Sequence, residues 1–274
     1  MKTILVPIDF STYSENALKV AAKIALKNNS EIHLLHMLEI PNQMNDAVYS
    51  SVPTPEIILF IKKAEEKVQE IAQQKFLDGI KIFQHIKFEG AFSGILSYIK
   101  NNNTDLIVMG SHGISGIEEI LLGSNTEKVV RLSNVPVLVI KKETIEFKGE
   151  HFVFASDFSE ETKKPFQKML DFTRIFNARL SLVMICTPSS FKTTALAEKI
   201  INNYIQQFEI ENYTVSIYND TNIENGIINF SNKVKADLIG LSTHGRTGLA
   251  HFFTGSISED LVNHTARPVL TFKI

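Results

Sequence analysis

Short, continuously apolar runs separated by longer mixed stretches recur along the whole chain. In the first half, the runs TILVPI, LIVM and VPVLVI show no alternation of apolar and polar residues. Strands that are buried on both faces of a sheet have this pattern. It predicts strands at residues 3–8, 31–38, 81–88, 105–109 and 136–140.

The stretches between these runs have the periodicity of helices. Residues 11–27 carry Leu18, Ala21 and Ile24 at helical spacing, and Ser11 precedes them as an N-cap. Connections of ten or more residues allow right-handed crossovers between parallel strands. Each half is therefore predicted to be an α/β unit with a parallel sheet and helices on both faces.

The whole pattern occurs twice. The stretch DLIVMGSHGISGIEEILLGSNTE from Asp105 aligns without a gap to DLIGLSTHGRTGLAHFFTGSISE from Asp237, an offset of 132 residues. The opening strands align Asp9 with Asp157 at an offset of 148 residues, so the first half holds 16 additional residues. The additional residues are those at positions 41–56. This segment could serve as a lid over a ligand, or it could be an irregular loop that the fold tolerates.

A period this long indicates duplicated domains instead of a short-repeat solenoid. We expect domains at residues 1–142 and 150–274, joined by the short polar segment at residues 141–150. Each half ends in a similar apolar strand, and apolar sheet edges tend to be paired or covered. We predict that the two last strands pair around a pseudo-twofold axis; the alternative is independent domains whose edges are covered by helices.

Composition narrows the function classes. The chain has 28 Lys and Arg against 30 Asp and Glu, so it has no basic stripe for nucleic acid. Its one cysteine, Cys186, excludes an intrachain disulfide, argues against a Cys-based zinc site and favours a reducing compartment, hence the cytoplasm. No apolar run approaches the roughly 18 residues of a membrane span. The sequence begins directly with a predicted strand, so we expect no signal peptide.

Candidate chemistry collects at the carboxyl ends of the strands. Ligands of doubly wound sheets bind there, where the winding direction reverses. If the first and fourth strands are neighbours, Asp9 and the loop from Gly110 face one crevice, where a carboxylate and loop N–H groups suit a nucleotide. The alternative for Asp9 is a turn or N-cap residue at the end of the first strand.

A Gly-Ser pair at a helix start supports two interpretations. Ser124 and Glu127 have the spacing of a capping box, in which both side chains satisfy free backbone donors, and Ser256 and Glu259 repeat it. The same helix start, preceded by Gly123, would also favour a phosphate through its dipole and free N–H groups. The two roles are compatible.

These residues resemble a known family. The spacing G-2x-G-9x-G-[ST], the opening ILVPxD strand and the closing PVLV strand are similar to those of universal stress proteins in their tandem form. The resemblance covers both halves. It implies two Rossmann-like, adenine nucleotide alpha hydrolase-like domains, each a five-stranded parallel sheet with strand order 3-2-1-4-5, paired by their last strands. It also implies ATP, with or without Mg²⁺, at the glycine loops.

The resemblance assigns nucleotide contacts by position. They are Asp9, Gly110, His112, Gly113, Gly123, Ser124 and Asn125 in the first half, and Asp157, Ser242, Gly245, Arg246, Gly255 and Ser256 in the second. The copies differ in two ways: Ser242 replaces a motif glycine, which is costly if φ is positive, and Arg246 replaces Ile114. An arginine there can hydrogen-bond a phosphate. We therefore expect two sites of unequal affinity.

No catalytic group accompanies the loops. His112 and His244 recur, but without a fixed carboxylate or second ligand they are expected to be loop histidines bonded to backbone rather than catalytic groups. Six phenylalanines at Phe152, Phe154, Phe158, Phe166, Phe172 and Phe176 are expected in the core. The leading interpretation is a stress-response binding or signalling module with slow ATP hydrolysis at most. The alternative is a nucleotide-free module that acts through protein–protein interaction; an unidentified protein partner and a homodimer of the whole chain stay open.

Overall fold

The computed structural model describes residues 1–38, 55–112, 123–141, 147–243 and 261–274. The first half alternates strands and helices in chain order. Its elements are β1 (Thr3–Ile8), α1 (Thr12–Asn28), β2 (Glu31–Met37), α2 (Pro55–Ala72), β3 (Ile82–Lys87), α3 (Ala91–Asn101), β4 (Leu106–Gly110), α4 (Ser124–Leu132) and β5 (Val137–Ile140). The strands predicted from the apolar runs are confirmed, with ends that differ by one residue at most.

The second half repeats this order. Its elements are β6 (His151–Ala155), α5 (Lys163–Phe176), β7 (Arg179–Cys186), α6 (Thr194–Ile205), β8 (Tyr213–Asn219), α7 (Ile223–Lys233), β9 (Leu238–Thr243) and β10 (Val269–Lys273). The 3-10 turn Glu160–Thr162 precedes α5. The N-cap predicted at Ser11 is confirmed, because its side chain accepts a hydrogen bond from the backbone N–H of Ser14.

All of these strands form one ten-stranded sheet. Its order is β3-β2-β1-β4-β5-β10-β9-β6-β7-β8, so each half has the predicted order 3-2-1-4-5. The pairs within each half are parallel, and β5 pairs with β10 in antiparallel orientation. Leu138 lies opposite Leu270, its own repeat equivalent, so the pseudo-twofold axis passes between them. The alternative of separate sheets with covered edges is wrong.

The apolar core is continuous across this axis. On one face of the sheet, Leu138 and Ile140 of β5 join Leu270 and Phe272 of β10 in a single buried cluster. The six phenylalanines expected in the core belong to the same cluster and are all buried. The shared core and sheet make the two halves one packed body, while the exact domain limits stay predictions.

One aspartate in each half connects two strands at their amino ends. Asp105 Oδ2 accepts hydrogen bonds from the backbone N–H groups of Lys2 (2.6 Å) and Thr3 (3.0 Å). Asp237 Oδ2 does the same for residues 150 and 151, at 2.8 and 2.9 Å. The aspartate that opens the repeated stretch therefore holds the fourth strand of each half against the start of the first.

Most of the additional segment at residues 41–56 lies outside the described residues, and only its end is placed, where α2 begins at Pro55. Within the described residues, no helix combines the length and the apolar character needed to cross a membrane.

Candidate functional site

A cavity of about 380 Å³ opens at the carboxyl ends of β1, β2 and β4. Six of the residues assigned to the nucleotide by position line it: Asp9, Gly110, His112, Gly123, Ser124 and Asn125. Its place matches the reversal of winding direction between β1 and β4, as expected for a doubly wound sheet. Gly113, the remaining first-half residue, lies outside the described residues.

Three helices begin at this cavity. Ser14 in the first turn of α1, Ala91 at the start of α3 and Ser124 at the start of α4 all line it. The caps of α3 and α4 are Gly90 and Gly123, which have no side chain that could accept a hydrogen bond from the first backbone N–H groups of each helix. Helix starts carry a partial positive charge, so the cavity favours an anionic group.

Hydrogen bonds to β4 and the residue after it hold the start of α4 at the cavity. The backbone N–H of Gly123 donates to the carbonyl of Ser111 at 2.8 Å. The buried Thr126 hydroxyl donates to the carbonyl of Gly110 at 2.9 Å. Thr126 was missed in the sequence because its role depends on the helix register, which only the structure defines.

The predicted capping box at Ser124 is wrong. The helix cap is Gly123, so Ser124 is the first helical residue and its side chain is exposed. Glu127 then lies one position too late to reach the cap, and it forms an ion pair with Arg131 at 3.6 Å instead. Glu127 stays in the first turn of α4, so its charge still opposes an anion at the helix start.

Gly110 is required for space and not for backbone conformation. Its φ is not among the positive values in the chain, and neither is that of Ser242. A Cβ atom on Gly110 would stand 2.7 Å from the Cβ and 2.8 Å from the backbone carbon of Tyr13, in the first turn of α1. In the second half, where Ser242 takes this position, the 3-10 turn Glu160–Thr162 stands at the place of the first turn of α1, and α5 begins later. The expected penalty for serine at positive φ does not arise.

Asp9 forms the turn that follows β1. Its Oδ1 accepts hydrogen bonds from the backbone N–H (3.0 Å) and the hydroxyl (2.6 Å) of Ser11, which confirms the turn interpretation. The intervening Phe10 has φ 66°, a left-handed conformation that is rare for a bulky residue. Asp157 forms the same turn in the second half. Asp9 also lines the cavity.

His112 contributes to the wall of the cavity. His112 Nδ1 lies 3.0 Å from the hydroxyl of Ser111, and its buried Nε2 has no hydrogen-bond partner among the described residues. The partner is therefore a side chain and not the expected backbone group.

His36, at the end of β2, lines the cavity too. Its Nδ1 lies 2.8 Å from the carbonyl of Ile8, and burial lowers the pKa of its imidazole. A neutral ring must donate through Nδ1–H here, which leaves Nε2 as an acceptor.

The second half differs where the structure describes it. Thr162, the counterpart of the cavity residue Ser14, is buried, and its hydroxyl lies 3.0 Å from the Tyr204 hydroxyl. Gly245, Arg246, Gly255 and Ser256 lie outside the described residues. Two nucleotide sites of unequal affinity therefore stay a prediction.

The chain is similar to proteins of one family along its whole length. The model of the universal stress protein family matches residues 1–141 and 214–273. Universal stress protein YxiE of Bacillus subtilis is 32% identical over 153 residues, which cover 50% of this chain and 97% of that protein. Universal stress protein Slr1230 of Synechocystis is 24% identical over 298 residues, covering 100% of both.

One solved structure supports the fold over both halves. It is that of a universal stress protein from Archaeoglobus fulgidus, with a TM-score of 0.75, 23% identity and coverage of 99% of this chain and 98% of that one. The family match covers most of the sequence, and the duplicated sheet and the cavity where its winding direction reverses agree with it. This chain therefore belongs to the universal stress protein family.

Proposed function

We propose that the first-half cavity binds an adenine nucleotide, with ATP as the expected ligand, and that the protein acts as a nucleotide-dependent stress-response module. The observation that carries the proposal is the convergence of three helix starts on one cavity that Asp9 also lines. The helix starts suit the phosphates and the carboxylate suits donors of the ribose or base. The volume of about 380 Å³ lies within the range of about 300–1,000 Å³ of ligand sites.

The residues present suit binding better than turnover. The described residues include no group of three or more His, Cys, Asp and Glu side chains that could hold a metal ion, so Mg²⁺ would depend largely on the nucleotide's own oxygens. Among the described residues of the cavity, the Asp9 carboxylate already accepts two hydrogen bonds from Ser11, which makes it a poor general base for water. We expect hydrolysis to be slow at most.

Isothermal titration of the full chain with ATP tests the proposal. In the variant Ser124→Asp, a carboxylate stands at the start of α4, where it favours the helix but repels a phosphate. Two unit charges about 4 Å apart repel by about 4 kcal/mol at an effective dielectric constant of 20, and a tenfold change in affinity needs only about 1.4 kcal/mol. We therefore expect the affinity of the first site to fall at least about tenfold.

Asn103→Asp is the matched control, because it adds the same charge at an exposed turn near the amino end of β4. It should leave the titration unchanged. Ser256→Asp tests the second site in the same way, and cAMP, the ligand in one solved universal stress protein, is a useful second titrant. Absence of binding heat with every nucleotide would contradict the proposal and favour the nucleotide-free module.

A further inference from the structure

A second cavity, of about 320 Å³, lies at the opposite end of the sheet, on the seam between the two halves. The amino ends of β4 and β5 form one wall, and α5 together with β10 forms the other. The apolar part of its lining includes Leu106, Phe172, Ile175, Leu270 and Phe272. It shares no lining residue with the nucleotide cavity, so it is a separate site.

The pseudo-twofold axis relates this cavity to a region of the second half that is filled by protein. There, Phe147 of the linker is 3% exposed and packs edge-on against Phe176, with ring centroids 5.3 Å apart. The backbone carbonyl of Phe147 accepts a hydrogen bond from Lys23 Nζ at 3.2 Å. A phenyl ring with one polar backbone group therefore occupies the equivalent place.

Two substitutions between the halves open the first-half cavity. Asn28 stands where the second half has Phe176, so an aromatic side chain is replaced by a short polar one. Val135 stands where the second half has the longer Arg267, whose guanidinium donates to the carbonyl of Ala236 at 2.7 Å. Asn28 and Val135 both line the cavity.

The size and lining of the cavity define the class of ligand. A buried apolar cavity of about 150 Å³ accepts benzene, and this cavity has about twice that volume. It therefore has room for a single or fused ring together with a polar substituent.

The rim is polar, through Asn28, Asn134 and Thr104, and the buried Thr104 hydroxyl has no hydrogen-bond partner among the described residues. The rim carries charges of both signs, through Lys168, Asp105 and Asp171. Asp171 is paired with Arg174 at 3.1 Å and Asp105 accepts the backbone N–H groups of Lys2 and Thr3, so the rim does not select a charged ligand.

We propose that this cavity binds a small aromatic molecule that carries an amide or a similar neutral hydrogen-bonding group. The ring lies against Phe172, Ile175 and Leu270, as Phe147 lies in the core of the other half. The polar group meets the Thr104 and Asn134 side of the rim. Because both walls come from different halves, the ligand bridges the seam at the pseudo-twofold axis.

Fluorescence anisotropy of N-acetyl-tryptophanamide with the full chain tests this site. The chain contains no tryptophan, so the indole emission of the probe has no protein background of its own type. We expect saturable binding of one probe per chain. Saturating ATP should not displace it, because the two cavities share no residue.

Two variants introduce into the first-half cavity the larger side chains that stand at the equivalent positions of the second half. Asn28→Phe and Val135→Arg should each weaken probe binding at least tenfold while leaving the ATP titration unchanged. Two different substitutions are used so that one remains informative if the other does not fold. The proposal is overturned if the probe fails to saturate, if ATP displaces it, or if a folded filling variant binds it as well as the wild type.

Discussion

At the end of β4, Gly110 lies against the first turn of α1, where an added Cβ atom would stand 2.7 Å from the Cβ atom of Tyr13. The equivalent Ser242 is also buried, and in the second half the helix begins later, after the 3-10 turn Glu160–Thr162. The same motif position therefore has different packing in the two halves.

A pair of exchanges tests this difference. Gly110→Ser should lower the free energy of unfolding by about 1–3 kcal/mol, since overpacking forces Tyr13 and its backbone to shift. Ser242→Gly should cost only about 0.5–1 kcal/mol, the usual entropic cost of glycine in a strand. Urea denaturation of both variants measures the two values, and an equal or reversed order would show that space at Gly110 is not the constraint.

At the scale of elements, one carboxylate per half fixes the fourth strand against the start of the first. Asp105 and Asp237 each accept two backbone N–H groups through a single oxygen. Hydrogen bonds to a charged acceptor are stronger than neutral ones, although partial exposure reduces their net contribution.

Asp105→Ala should lower the free energy of unfolding by about 1–2 kcal/mol, and Asp237→Ala by a similar amount. The matched variants Asp105→Asn and Asp237→Asn keep one acceptor oxygen and should lose less. Chemical denaturation monitored by circular dichroism gives all four values. A loss at only one of the two positions would contradict the symmetric role.

The edge strand β3 and its neighbour β2 hold a titratable cluster against α3. The Tyr98 hydroxyl is hydrogen-bonded to His33 Nδ1 and lies 3.0 Å from His85 Nε2, while His33 Nε2 lies 3.2 Å from Glu31 Oε1. Burial raises the pKa of Tyr98 to about 12, so it stays protonated. Burial first, and then the nearby His33 and Lys87, lowers the pKa of His85 below its usual value.

This cluster predicts a loss of stability in mild acid. A histidine whose pKa is lowered in the folded state stabilises the fold fully above its unfolded pKa of about 6.5, and loses this contribution as pH falls through the folded value. The urea midpoint should therefore fall between about pH 7 and pH 5, and His85→Gln should make this fall shallower. An unchanged slope in that variant would exclude His85 as the titrating group.

The strands and their order could be predicted because buried parallel strands are continuously apolar and because the chain repeats itself. The six cavity residues at Asp9, Gly110, His112, Gly123, Ser124 and Asn125 were predicted together because the resemblance to the universal stress protein family assigns them by position. The capping-box prediction was wrong because it requires Ser124 to be the cap residue. The helix begins one residue earlier, so Gly123 is the cap. His36 and Thr126 were missed because their roles depend on contacts with Ile8 and Gly110 that no local pattern encodes.

At the scale of the whole molecule, a pseudo-twofold axis between Leu138 and Leu270 relates the two halves. Different side chains nevertheless occupy equivalent places in their cores. Phe147 of the linker completes the core of the second half beside Phe152 and Phe176. The linker is therefore a packed part of the structure at this point, and its contribution is structural as well as connecting.

Phe147→Ala should lower the free energy of unfolding by about 3–5 kcal/mol, the usual cost of removing a buried phenyl ring. Phe191→Ala is the matched control, because Phe191 is 72% exposed and should change stability little. Thermal and urea unfolding of both variants gives the comparison. Similar small losses in the two variants would contradict a packed role for the linker.

The central claim is that the first-half cavity holds the nucleotide in a defined orientation. A crystal structure of the full chain with a non-hydrolysable ATP analogue tests it most directly. We predict the phosphates at the start of α4, beside Gly123 and Ser124, and the nucleoside beside Asp9. A nucleotide bound elsewhere on the chain, or a cavity without nucleotide at saturating concentration, would contradict the account.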